Sequence, residues 1–208
     1  MLNDKAKAVI NRLDADPKKG EPYNTGRGKG GFRNPIRSDT GLVLYNIIRA
    51  RQAYAAIEFG TADGLSGCFI GSALEKGGVL HTIEFNAPTA VKAQANLDEA
   101  MEGQGVGVGV LNGDALEMVR QLVEGNSRIK YDVVFLDAQK DQYREYIVAL
   151  QEGKLLKPNC LVIADNVMDR EEEARPFLEY MTQYNNVVIP VGQSEGMPTA
   201  GLSIAIIP

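Results

Sequence analysis

The sequence has no tryptophan, a single histidine (His81) and two cysteines, Cys68 and Cys160. Two cysteines cannot build a disulfide framework, and both stand in apolar surroundings, which fits buried free thiols and a reducing, cytoplasmic setting. No CxxC pair or Cys/His spacing marks a zinc site, and His81, leading a strand, suits a structural role. No apolar run approaches the ~20 residues that span a bilayer. The amphipathic N-terminus, MLNDKAKAVINRL, lacks the apolar core of a secretory signal. The GxGxxG of dinucleotide binders is missing too, which counts against an NAD-dependent dehydrogenase. Basic charge is also short: 22 Lys and Arg against 27 Asp and Glu leave a net charge of −5. That balance argues against broad affinity for nucleic acid or membranes.

What is present is regular alternation of strands and helices over 208 residues, enough for one well-buried α/β domain. Residues 1–37 form an entry region. Ala6, Val9, Ile10 and Leu13 recur at helical spacing over Asp4–Leu13, and Asp16-Pro17 ends that helix. Gly20–Gly31 (GEPYNTGRGKGG) holds five glycines and cannot pack a core. It reads as a linker or as a flap over a ligand, and Tyr23 and Phe32 favour the flap. Lys18, Lys19, Arg27, Lys29, Arg33 and Arg37 make this region locally basic. Residues 38–208 carry the main fold. Ser38-Asp39 caps a helix to about Arg51, with Leu42, Tyr45, Ile47 and Ile48 on its apolar side. Strands follow at Ala53–Phe59, Val79–Glu84, Val106–Leu111, Tyr131–Asp137 and Leu161–Asp165. Helices lie between them, at Ala87–Met101, from about Ala115 to Val123, and at Asp141–Leu150. Lys157-Pro158-Asn159 is expected to turn into the fifth strand. A helix over Glu171–Tyr184 and an antiparallel pair, Val187–Val191 with Leu202–Ile207, close the chain. The fold class is a doubly wound, Rossmann-like α/β sheet, mostly parallel with a C-terminal antiparallel strand and helices on both faces.

Two strand ends carry the chemistry. Val133-Val134-Phe135-Leu136 reads as a strand buried on both faces, followed at once by Asp137, Lys140 and Asp141. Leu161-Val162-Ile163-Ala164 ends in Asp165-Asn166. Ligands of open α/β sheets sit past the carboxyl ends of the strands. Two carboxylates and an amide oxygen delivered there would suit a hard divalent cation. Earlier in the chain, Glu58-Phe59-Gly60-Thr61-Ala62-Asp63-Gly64-Leu65-Ser66 reads as strand, glycine turn and helix start. Gly60 permits the tight turn and Gly64 the close approach of a ligand. Glu58 would repel a phosphate but accept a cationic, amino-acid-like group. Glu84, ending the next strand 20 or more residues beyond the glycines, is placed to accept from ribose hydroxyls.

With these motifs in order, the chain from roughly Asn34 onward resembles the S-adenosylmethionine-dependent O-methyltransferases of the catechol and caffeoyl-CoA type. The resemblance rests on E-x-G-x-x-x-G-x-S at Glu58–Ser66, the acid Glu84, F-L-D-A-x-K-D-x-Y at Phe135–Tyr143, and A-D-N at Ala164–Asn166. It implies that Asp137, Asp165 and Asn166 hold Mg²⁺ or a similar ion, and that Lys140 is the general base. It implies cofactor contacts from Ile36, Glu58, Gly60, Ser66, Glu84, Asp114, Ala115 and Asp137. Lys140, Asn166 and Glu195 would face the substrate, a small aromatic diol methylated on one hydroxyl. The tryptophan walls of the family's catechol pocket are absent. A homodimer is what bacterial and plant relatives imply. Two other readings compete: methylation of a hydroxylated base in transfer RNA, motivated by the basic Lys18–Arg37 stretch, and a non-catalytic cofactor-binding protein of the same fold.

Overall fold

Apolar residues on successive strands point alternately to two opposite layers, and that alternation sorts the helices onto two faces of one sheet. The computed structural model describes residues 1–16, the backbone of 22–24 and 30–32, and residues 36–191 and 199–208. In chain order the elements are α1 (Asp4–Asp14), the short strands β1 (Pro22–Asn24) and β2 (Gly30–Phe32), α2 (Ser38–Arg51), β3 (Ala55–Phe59), α3 (Leu65–Ala73), β4 (Val79–Glu84), α4 (Ala87–Met101), β5 (Gly107–Asn112), α5 (Ala115–Glu124), β6 (Tyr131–Leu136), α6 (Tyr143–Glu152), β7 (Leu156–Ala164), α7 (Glu171–Met181), β8 (Val187–Val191) and β9 (Ala200–Ile207). β1 and β2 pair with each other. The other seven strands form one sheet in the order β5-β4-β3-β6-β7-β9-β8. β9 runs antiparallel to both its neighbours, and every other pairing is parallel.

One face carries α1 to α4, whose Ile10, Leu44, Ile48, Phe69 and Leu97 pack with Ala56, Leu80, Val133, Phe135 and Ile163 of the sheet. The other carries α5 to α7, whose Val119, Tyr146, Ile147 and Phe177 pack with Ile57, Phe59, Val134, Leu136 and Val162. Val133, Val134, Phe135 and Leu136 are all fully buried, as a central parallel strand requires. Full burial of each such side chain is worth about 1.5–3 kcal/mol, so β6 is a stiff rod whose end is held in place. Cys68 and Cys160 are free and buried, and burial pushes both thiols up to about 12. His81 Nδ1 lies 2.7 Å from Tyr131 Oη, tying β4 to β6 across β3, which is the structural role expected of it.

Several local expectations are corrected. Helix α2 has Arg37 at its cap position, with no side-chain capping bond. Ser38 Oγ instead donates to Asp14 Oδ2 at 2.8 Å, joining the end of α1 to the start of α2. Leu42 is exposed and Leu44 buried in its place. β3 starts at Ala55 because the Asp132 carboxylate takes both the Tyr54 and Ala55 N–H groups, each at 2.9 Å. Lys157-Pro158-Asn159 lies inside β7, where the register with β6 shifts, rather than ahead of it. A 3₁₀ turn, Lys140–Gln142, precedes α6, and another, Thr182–Tyr184, follows α7. β5 is the sheet edge and only partly covered; of its glycines, a Cβ on Gly109 would meet His81 at 3.3 Å while Gly107 has room.

Candidate active site

The carboxyl ends of β4, β3, β6 and β7 lie side by side, so residues distant in sequence meet at one rim. Asp137 N–H donates to Phe59 O at 2.9 Å, and Asp165 N–H donates to Leu136 O at 2.9 Å, each extending the ladder one residue past the strand. Gly60, at φ +95°, turns the chain directly over this seam: a Cβ there would strike the Asp137 carbonyl oxygen. Only glycine tolerates both the left-handed backbone and that closeness. Gly64, at φ +92°, starts α3, and its hypothetical Cβ would press on Leu97 at 3.1 Å.

Glu58 points from β3 towards the start of α3 and is fully buried. Thr82 Oγ1 donates to its Oε2 at 2.6 Å, and Thr61 Oγ1 lies 2.6 Å from Thr82 Oγ1. Its other oxygen, Oε1, is buried without a hydrogen-bond partner. Burial pushes the Glu58 carboxyl up to about 7; hydrogen bonds from Ser66 and Thr82 oppose this, while Asp137 and Glu84 add to it. A buried acceptor with nothing to accept costs about 1–3 kcal/mol, a cost that a donor brought by a ligand could relieve. Ser66, in the first turn of α3, is buried.

Glu84, at the end of β4, is also buried. Its Oε2 accepts from Ala62 N–H at 3.0 Å and its Oε1 from Asn86 N–H at 2.9 Å, so it braces the glycine turn. Asn112 Nδ2 and Gly113 N–H donate to the Glu84 carbonyl at 2.8 and 3.0 Å, bringing the tip of β5 alongside. There Asp114 caps α5, its Oδ1 accepting from Leu116 and Glu117 N–H, and Ala115 is the first helical residue.

At the β6 and β7 tips, Lys140 Nζ donates to Asp137 Oδ1 at 2.9 Å, and both side chains are largely buried. Lys140 Nζ also stands 5.6 Å from the centre of the Tyr143 ring. Asp165 is 5% exposed, and its Oδ1 accepts from Asn166 N–H at 2.8 Å. Burial pushes the Asp165 carboxyl up and the neighbouring Asp137 adds to this; the Asn166 N–H and Lys140 oppose it. Asn166 sits at φ +60°, the left-handed region asparagine tolerates, and its Nδ2 donates to Asp169 Oδ2 at 3.3 Å. Among the described residues no three His, Cys, Asp or Glu side chains gather as a metal centre. The oxygen donors at these tips are two carboxylates and one amide.

Glu58, Gly60, Ser66 and Glu84 thus fall around the ends of β3 and β4, and Asp137, Lys140, Asp165 and Asn166 around the ends of β6 and β7. Ile36 is buried in the α1–α4 core. Glu195 lies outside the described residues, as does the glycine-rich, basic stretch apart from the backbone of β1 and β2 and residues Ile36 and Arg37. The sequence reading missed Thr82, whose hydroxyl reaches Glu58, and Thr61, whose hydroxyl reaches Thr82; the register that pairs Thr82 with Glu58 is visible only in the folded sheet. It also missed Phe85, which follows Glu84 at the rim and is 41% exposed, and Asp169. Among the described residues no helix is long and apolar enough to cross a membrane.

Comparison with known proteins agrees with this arrangement. The chain is 35% identical over 134 residues to a catechol O-methyltransferase of Niastella koreensis, covering 64% of this chain and 58% of that protein. It is 32% identical over 141 residues to the catechol O-methyltransferase of Bos taurus, covering 68% of this chain and 50% of that one. The matched part thus spans between half and three-fifths of the length of these curated relatives. Its fold is similar to that of an O-methyltransferase from Bacillus cereus in complex with SAH, with a TM-score of 0.76 at 20% identity, covering 99% of this chain and 91% of that one. It is also similar to the O-methyltransferase TomG of Streptomyces achromogenes in complex with SAM, with a TM-score of 0.74 at 22% identity over 99% and 90% of the two chains. The O-methyltransferase family model matches residues 32–186, a span that runs from ahead of α2 to just short of β8 and takes in every strand tip described above, and the chain belongs to that family.

Proposed function

We propose that this chain methylates one hydroxyl of a vicinal dihydroxy aromatic, using S-adenosylmethionine and a divalent cation such as Mg²⁺. The observation that carries the reading is the meeting on one rim of two differently prepared acidic sites. Glu58 offers a buried acceptor atom, Oε1, that awaits a donor, which suits the ammonium of an amino-acid-bearing cofactor. Asp137 and Asp165, with the Asn166 amide, offer an all-oxygen donor set on neighbouring strand ends, which suits a hard cation. The catechol O-methyltransferase relatives support the choice of acceptor.

In this reading Glu58 Oε1 binds the cofactor's ammonium and Glu84 the ribose hydroxyls, with Gly60 and Gly64 admitting the ligand close to the backbone. Bound there, S-adenosylmethionine supplies the methyl group. Asp137, Asp165 and Asn166 would hold the cation, which supplies positive charge that makes an adjacent aromatic hydroxyl more acidic. Lys140 Nζ, on the first turn after β6, would take the hydroxyl proton onto its lone pair when it is in the unprotonated amine form. The stiff strands fix these groups, so that much of the rate comes from orientation of the acceptor oxygen. The test is a screen of dihydroxy aromatics with methyl-labelled cofactor, with and without chelator. Labelled monomethyl ether formed only in the absence of chelator is expected. Label appearing on transfer RNA instead, or on no diol at all, would overturn the proposal.

A further inference from the structure

The buried hydroxyls of Thr61 and Thr82 have no part in the chemistry above, yet they form a chain ending on Glu58. Thr82 is fully buried and Thr61 is 1% exposed. Thr82 has one hydroxyl proton, and it is directed at Glu58 Oε2 at 2.6 Å. The 2.6 Å contact between the two threonines must then carry the Thr61 proton to Thr82, because a hydroxyl donates only once. Thr61 is itself anchored: its N–H donates to Ile83 O at 3.2 Å and its carbonyl accepts from Gly64 N–H at 2.9 Å. The chain of donors therefore runs from the glycine turn, through β4, to one oxygen of Glu58, leaving the other oxygen as the open acceptor.

We propose that Thr82, backed by Thr61, is a positioning residue for cofactor binding, which orients the Glu58 carboxylate so that Oε1 alone is presented to the cofactor's ammonium. The inference rests on the reading of Glu58 as the ammonium acceptor. Two donors in series polarise one another and favour the carboxylate with its charge directed outward. Without them Oε2 would lose the Thr82 donor at 2.6 Å that holds the carboxyl in this orientation.

The experiment compares calorimetric binding of two probes, S-adenosylhomocysteine and 5′-methylthioadenosine, which lacks the amino acid portion. Thr82→Val keeps the shape and removes the donor, and Thr82→Ser keeps the donor. Thermal melts confirm folding. Loss of a hydrogen bond to a charged group corresponds to about tenfold or more in affinity. The expected result is a drop of that size for S-adenosylhomocysteine in Thr82→Val, unchanged binding of methylthioadenosine, and recovery to within about twofold of the parent in Thr82→Ser. Should Thr82→Val fail to fold, Thr61→Val is compared in the same way and is expected to show a smaller loss confined to the same probe. Equal affinity of Thr82→Val and parent for S-adenosylhomocysteine, a parallel loss for both probes, or no recovery in Thr82→Ser would each overturn the inference. A parent protein that binds the two probes equally, or binds neither, would overturn instead the reading of Glu58 on which the inference depends.

Discussion

Replacing Glu58 by glutamine should make the protein more stable at alkaline pH while weakening its hold on the cofactor. The carboxyl is fully buried and its affinity for a proton is raised from 4.5 to about 7. For an acid raised on folding, the native state binds the proton more tightly than the unfolded chain, so stability falls as pH rises between these two values. Above pH 7 the folded protein carries the full cost of a buried charge. A rise from 4.5 to about 7, at 1.36 kcal/mol for each tenfold step in proton affinity, gives about 3 kcal/mol, to order of magnitude. Glutamine never ionises, and it keeps an oxygen for the Thr82 hydroxyl. Its amide nitrogen would stand at the unpartnered Oε1 position, a cost that does not depend on pH and cancels between two buffers. The quantity to measure is therefore the change in the stability difference from pH 5 to pH 8.5. The unfolded chain is already partly ionised at pH 5, so about 2.5 kcal/mol of this falls between the two buffers; thermal melts in chelator should show the variant gaining roughly 5–10 °C on the parent, at 2–4 °C per kcal/mol for a chain of this size. Addition of S-adenosylhomocysteine should raise the melting temperature of the parent more than that of the variant. A stability difference that stays constant with pH would refute the claim that an ionised carboxyl is buried at this position.

Lys140→Ala should retain binding of cofactor and divalent cation while turnover falls by about 10²–10⁴-fold; single-turnover kinetics with calorimetry on the same preparation check it, and unaltered turnover would remove Lys140 from the chemistry. Gly60→Ala should cost at least about 2 kcal/mol, because a Cβ would meet the Asp137 carbonyl and φ is +95°. Gly77→Ala, at φ +87° with nothing within 4 Å, should cost only about 1 kcal/mol, and urea unfolding midpoints compare the two. Mg²⁺ should raise the melting temperature more at pH 8 than at pH 6, because the buried Asp165 holds its proton more tightly than an ordinary carboxylate and must release it to bind a cation. Asp165→Asn should lose that pH dependence, which differential scanning calorimetry would reveal.

The order of elements and the two acid-bearing strand ends were legible in the residues. Val133–Leu136 could only be a strand buried on both sides, and the acids that follow it had to fall at its carboxyl end. Glu58, Gly60 and Glu84 were legible for a similar reason: a strand, a glycine turn and a helix start leave few conformations open. The capping of α2 was misread because Ser38, a good cap by type, is drawn to Asp14 from another helix. The start of β7 was misread because the shifted register with β6 lets a proline and an asparagine sit inside a strand.

Local pattern determined that this chain alternates strand and helix, that its sheet is mostly parallel, and that acids crowd the strand ends. Such features follow from backbone sterics and periodic burial, which each short segment expresses by itself. The tertiary structure alone decided that Thr82 stands beside Glu58, that Asp132 takes the Tyr54 and Ala55 N–H groups, and that one oxygen of a buried carboxyl is left without a donor. These depend on sheet order and register, which bring together residues about 20 to 80 positions apart, and on desolvation, which only a packed neighbour can impose.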